Sequence, residues 1–176
     1  MTYSTEQSNP AYRSLNLFGF LICALAVAFA VLYLQGNLGL EPCPLCSAVR
    51  LAVLAQALLF LLAFLHNPKQ LGQRTYASLG FIITLAGIGI SIRHVWLQSL
   101  PADEVPECGP GLEYLLNAFP LQDAIKLVLS GSGECADVQW QLFGLTIPQQ
   151  SLVLFALLSF ILLTQFKKKR VRSYFS

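Results

Sequence analysis

The sequence predicts an all-α membrane protein: a four-transmembrane-helix bundle with one long loop outside the cytoplasm, carrying a short amphipathic helix. Three observations predict it. Of 176 residues, 55% are hydrophobic and only 11% charged, against roughly 25% charged in soluble domains. The apolar residues gather in four runs close to the about 20 residues a helix needs to cross the hydrocarbon core. The charges lie mostly between those runs, sorted by sign. A chain of this length has room for a single integral membrane domain, 1–176.

The elements follow in order. A first span covers 15–35, a short turn bearing Gly and Pro covers 36–46, and a second span covers 47–65. A linker with His66-Asn67-Pro68 spans 66–75, a third span 76–96, a long acidic loop 97–148, a fourth span 149–166 and a tail 167–176. Small residues at Ala26, Ala28 and Ala30 resemble signal-peptide cleavage sites. The apolar run around them is about twenty residues, longer than the typical 7–15-residue signal core. Cleavage would also leave an odd number of spans, so the first run is read as a membrane helix.

Charge sets the orientation. Arg13, Lys69, Arg74 and the cluster Lys167, Lys168, Lys169, Arg170 and Arg172 supply eight of the eleven basic residues. They lie in the two tails and the 66–75 linker, which the positive-inside rule makes cytoplasmic. Seven of the nine acids fall between Asp103 and Asp137, in the loop on the opposite side. Tyr33 and Trp96 then sit at the outer interface, where aromatic rings favour the headgroup region. The basic tail is short and abuts a span, so it reads as an orientation signal, and nucleic-acid binding is not expected.

Of the five cysteines, Cys43, Cys46, Cys108 and Cys135 lie outside the cytoplasm and Cys23 lies within the first span. Disulfides persist outside the cytoplasm, so four such cysteines suggest two pairs. Cys43-Pro44-Leu45-Cys46 opens the second span. Proline starts the helix at about Pro44 or Leu45 and places Cys46 in its first turn, where the helix dipole favours a thiolate. Arg50 lies one turn deeper on the same face. An arginine at that depth is costly. Either it snorkels to lipid phosphates, or it stabilises the Cys46 thiolate and binds a polar group of a membrane-dissolved cofactor. A CxxC motif alone is only moderately specific, since metal sites share its spacing.

Cys108 and Cys135 flank 26 residues of the acidic loop. Between them Leu121, Ala124, Ile125, Val128 and Leu129 recur at helical spacing, as in an amphipathic helix lying on a membrane surface. Ser130-Gly131-Ser132-Gly133 follows as a flexible run before Cys135. In the third span, Gly80, Thr84, Gly87 and Ser91 form a small-residue stripe typical of close helix packing. Its continuation reaches His94, read as either a site residue or a hydrogen-bonded core histidine. Arg93 beside it is expected to snorkel. Cys23 reads as a small buried apolar residue.

These residues resemble the DsbB family of quinone-dependent thiol oxidases. The likeness rests on Cys43-Pro-Leu-Cys46 with Arg50, on His94, on Cys108 followed by Gly-Pro-Gly, and on Gly133-Glu-Cys135. It continues through Gln139-Trp140, Leu142-Phe143-Gly144-Leu145 and Pro148-Gln149. The resemblance implies a protein-disulfide oxidoreductase of the bacterial inner membrane with periplasmic redox loops. It implies a DsbA-like periplasmic thioredoxin-fold partner and a quinone, ubiquinone or menaquinone, from the bilayer. It further implies a relay. The reduced partner attacks a Cys108–Cys135 bond, Cys43 then links to Cys135, and Cys46 passes electrons to a quinone held by Arg50 and His94.

Other classes remain. Four cysteines can bind zinc as a tetrathiolate, but the wide second spacing and the oxidising compartment oppose it, and no metal is expected. Two disulfides can merely staple loops, which leaves Arg50 and the Gly-Ser run unexplained. A specialised DsbA-like partner is a third alternative.

Overall fold

Every long apolar run folds into a helix, because backbone polar groups in a bilayer must find their partners within the segment. The structure, a computed structural model, describes residues 10–101, 103–105, 120, 122, 123, 126, 128, 131 and 133–167. Helix α1 (Pro10–Ala28) continues as a π-helix, Phe29–Asn37. Then come α2 (Pro44–His66), α3 (Gln70–Gln98), a single turn α4 (Gly133–Ala136), strands β1 (Gln141–Leu142) and β2 (Leu145–Thr146), and α5 (Ile147–Lys167). Among the described residues, four stretches are long and apolar enough to cross a membrane: Pro10–Asn37, Pro44–His66, Leu71–Gln98 and Ile147–Phe166. The chain is an all-α, four-helix multi-pass membrane protein. Cys108 and the greater part of the expected amphipathic helix (Leu121, Ala124, Ile125 and Leu129) lie outside the described residues, as do Ser130, Ser132 and the tail beyond Lys167.

The helix ends follow local chemistry. Pro44 occupies the first turn of α2, where a missing N–H costs nothing. Asn67 closes α2 in the left-handed conformation, its N–H bonded to the Ala63 carbonyl at 3.1 Å, and Pro68 prevents continuation. Helix α1 packs on α2, α2 on α3, and α3 on α5, with a lighter α1–α5 contact closing the bundle. At the His66 end that closure is polar. Gln165 Nε2 donates to Asn16 Oδ1 at 3.3 Å, and Asn16 Nδ2 donates to the Tyr12 carbonyl at 2.9 Å.

The core is narrow, built from Cys23, Val49, Val53, Ala57, Phe60, Phe155, Leu158, Ile161 and Leu162. Large apolar side chains such as Leu25, Leu32, Leu51 and Leu71 point outward. In lipid such exposure carries no penalty, so helix association depends on close packing instead. The small-residue stripe of α3 supplies it: a Cβ on Gly87 would lie 2.2 Å from the Phe155 ring. Thr84 and Ser91 are fully buried on the same stripe, and His94 continues it toward the Cys43 end. Before α5 the chain makes a hairpin, pairing Gln141 with Thr146 and Leu142 with Leu145. Both turn residues, Phe143 (φ 54°) and Gly144 (φ 78°), have the positive φ that a two-residue hairpin of this kind demands.

Candidate functional site

At the start of α2, Cys43 is the N-cap, in extended conformation, and its sulfur accepts the Cys46 N–H at 3.3 Å. That N–H is one of the four a helix leaves unpaired at its start. The cap therefore folds the two sulfurs of the CxxC motif toward each other. Cys43 is 4% exposed, while Cys46 is half-buried and faces a cavity.

Two further groups reach Cys43. His94, on α3, brings Nε2 to 3.9 Å from the Cys43 sulfur, and Cys135, on α4, hydrogen-bonds the Cys43 thiol. The His94 imidazole also hydrogen-bonds the Cys135 backbone, so it ties α4 to the CxxC turn. Cys135 is fully buried in a small cluster with Cys43, Leu45 and Leu97. The hydrogen bond from Cys135 favours the Cys43 thiolate. The hydrogen bond with Cys46, burial and the nearby Cys46 charge oppose it, and together they push Cys43 up to about 12. These effects favour the neutral thiol of Cys43.

Gly131 seats this arrangement. Its φ is +80°, and a Cβ there would stand 2.3 Å from Leu97 Cδ1. Only glycine satisfies both conditions. Expected as part of a flexible run, this residue itself packs against Leu97 of α3. Cys108, the other cysteine of the acidic loop, lies outside the described residues.

Arg50 is held from the first helix. Nη1 donates to Gln35 Oε1 at 2.8 Å and Nη2 to the Ala30 carbonyl at 3.2 Å. Both acceptors belong to the π-helix, whose wider turn is a frequent feature of functional sites. The guanidinium is thus fixed by protein groups, which sets it apart from a freely snorkelling side chain. Arg93, by contrast, stacks over Trp96 at 4.2 Å, and Cys23 is buried in the apolar core.

Cys46, Arg50 and His94 share the wall of one cavity of about 230 Å³. Its remaining lining is largely apolar, including Ala26, Val27, Phe29, Val49, Val53 and Leu154, with Gln139, Gln150 and Ser151 adding polar edges. Pockets for drug-sized ligands run to roughly 300–1,000 Å³, so this smaller cavity suits a group of about one substituted ring. To an apolar ring bearing carbonyl acceptors the cavity offers one fixed cationic donor, an imidazole and a thiol. Phe29, Tyr33 and Trp140 form an aromatic group at its edge, with Phe29 and Tyr33 stacked 5.2 Å apart and Trp140 5.7 Å from Phe29.

Sequence reasoning missed Gln35 and the Ala30 carbonyl, and it named Gln139 only within the family resemblance. Gln35 had a signal, being a polar residue ending an apolar run near Arg50's depth. The Ala30 carbonyl had none, since backbone polarity leaves no mark in sequence.

Comparison with known proteins adds an independent finding. The family model described as "Disulfide bond formation protein DsbB" matches residues 12–165. Disulfide bond formation protein B of Nitrosococcus oceani is 58% identical over 153 residues, covering 87% of this chain and 90% of that protein. The protein of the same name from Methylococcus capsulatus is 53% identical over 146 residues, covering 83% and 88%. That of Chromobacterium violaceum is 50% identical over 145 residues, covering 80% and 87%.

Proposed function

Since the chain belongs to the DsbB family of membrane disulfide bond formation proteins, we propose that it reoxidises a periplasmic DsbA-like dithiol and passes the electrons to a membrane quinone. One observation carries this reading. Cys43 touches Cys135 on one side and Cys46 on the other, and Cys46 opens onto an apolar cavity shared with Arg50 and His94.

The relay is a series of thiol–disulfide exchanges. A thiolate of the reduced partner attacks Cys108 of a Cys108–Cys135 disulfide, forming a mixed disulfide and releasing Cys135 as a thiolate. Cys135 attacks Cys43 of the Cys43–Cys46 disulfide. The Cys43–Cys135 bond forms, the Cys43–Cys46 bond breaks, and Cys46 leaves as a thiolate. The partner's second thiol then resolves the mixed disulfide at Cys108 and leaves oxidised. Two electrons and two protons have left the partner.

Cys46 is the natural leaving group. It sits in the first turn of α2, where backbone N–H groups and the helix dipole favour negative charge. Arg50, held by Gln35 and Ala30, adds a fixed positive charge on the same wall. Neighbouring Cys43 stays protonated unless bonded, so the pair divides into a buried exchanging sulfur and a cavity-facing donor. His94 orients Cys135 for the exchange through its backbone hydrogen bond. A quinone bound in the cavity, ubiquinone or menaquinone, supplies the two-electron acceptor. The basic tails and linker support a topology with the Cys43 end of the bundle on the periplasmic side of the inner membrane.

The experiment is quinone reduction followed by ultraviolet absorbance, with purified protein and a reduced DsbA-like protein. Quinone loss that requires both proteins and vanishes in Cys46→Ser is expected. Persistent quinone loss in Cys46→Ser, or none with either quinone in the folded wild-type chain, would overturn the reading.

A further inference from the structure

We propose that the reduced centre binds one thiophilic divalent cation of the zinc class through Cys43 Sγ, Cys46 Sγ and His94, with Cys135 as the fourth ligand. The donor atoms of the first three residues lie within 4.8 Å of one another, and Cys43 and His94 are 3.9 Å apart. A tetrahedral zinc site, with Zn–S near 2.3 Å and Zn–N near 2.0–2.1 Å, separates its donors by about 3.6–3.8 Å.

Cys135 lies outside this three-residue group and would complete it as the fourth ligand. Cys135 hydrogen-bonds Cys43, so its sulfur already sits beside one ligand. The bond from His94 to the Cys135 backbone fixes the ring orientation, as hydrogen bonds behind metal-bound histidines do. Sequence spacing argued against a zinc site made of four cysteines. The fold removes that objection by bringing an imidazole from α3 into the set.

Surroundings favour capture. Cys43, His94 and Cys135 are 4%, 3% and 0% exposed, so water competes poorly. Cys46 faces the cavity, which provides a path of entry, and Arg50 on the same wall offsets the negative charge of a three-thiolate complex. Binding releases the thiol protons to solvent and moves no electrons. The metal-bound form withholds its thiolates from disulfide exchange. This inference concerns the thiol form of the centre and does not rest on quinone as the acceptor.

The test uses the full-length chain in detergent, reduced and kept anaerobic, with cobalt(II) as the probe and no quinone added. Expected are the intense ligand-field bands of tetrahedral thiolate-bound cobalt, saturating at one equivalent and displaced by zinc. The oxidised chain should give none of these bands. Cys46→Ser and His94→Ala should each weaken binding by at least about ten-fold, while Cys23→Ala leaves it unchanged. In Cys135→Ser the sulfur-to-cobalt charge-transfer intensity should fall by about a third, one of three thiolates being lost. A weak octahedral spectrum, equal binding by the oxidised chain, or unchanged affinity in His94→Ala would overturn the proposal. The oxidised–reduced comparison needs no substitution, so it decides the matter even where a variant fails to fold.

Discussion

Cys43 and Cys46 share a motif but not an environment. Cys43 is buried, capped and pushed up to about 12, whereas Cys46 faces a cavity from the first turn of a helix. Alkylation of the reduced protein with iodoacetamide near neutral pH should therefore modify Cys46 well before Cys43, as read by peptide mass spectrometry. Because a thiol reacts as its thiolate, Cys43 labelling should increase only as the pH climbs toward its raised value. Equal labelling of both at neutral pH would contradict the environments described. Arg50 offers a second prediction. Arg50→Ala should raise the KM for quinone more than that for the DsbA-like partner. Gln35→Ala should shift the same parameter in the same direction by up to about ten-fold, equivalent to about 1.4 kcal/mol. If only Arg50→Ala moves KM, Gln35 is a bystander.

At the scale of elements, close approach between helices does more than side-chain hydrophobicity. Gly87 and Gly89 lie two residues apart on α3 and face opposite surroundings. A Cβ at Gly87 meets the Phe155 ring at 2.2 Å, while a Cβ at Gly89 meets nothing within 4 Å. Gly87→Ala should destabilise by about 1–3 kcal/mol through overpacking. Gly89→Ala should be neutral or stabilise by up to about 1 kcal/mol, because alanine is the better helix former. Thermal unfolding in detergent separates the two, and equal effects would mean that α3 and α5 do not pack as described. The π-helix works on the same scale. By widening the end of the first helix it presents Ala30 and Gln35 to Arg50, a guanidinium supplied by the neighbouring helix.

For the whole molecule, the bundle has a chemical end and an anchoring end. One end gathers Cys43, Cys46 and His94, with Cys135 packed against Cys43; the other ties α1 to α5 through Asn16 and Gln165. Cys23 belongs to the core between them, remote from the proposed exchange. Cys23→Ala should keep turnover near wild type in the coupled quinone assay, and an inactive variant would require another assignment of the cysteines. Orientation is testable in cells. A cysteine introduced as Lys69→Cys should react with a membrane-impermeant maleimide only after the inner membrane is opened. Labelling in intact spheroplasts would invert the proposed topology.

What the sequence determined by itself is what rests on short-range chemistry. Four helices, the start of α2 near Pro44 or Leu45 and the inward stripe ending at His94 all follow from apolar run length, proline and the helical repeat. The CxxC motif and its neighbour Arg50 were legible for the same reason. The tertiary structure alone decided which groups meet. Cys135 lies 92 positions after Cys43, and no local rule specifies that a glycine packed on Leu97 brings the two into contact. Likewise the π-helical end of the first span and the β1–β2 hairpin went unread. Their cause is a backbone hydrogen-bond register and a pair of positive φ angles, fixed by packing that a run of apolar letters does not record.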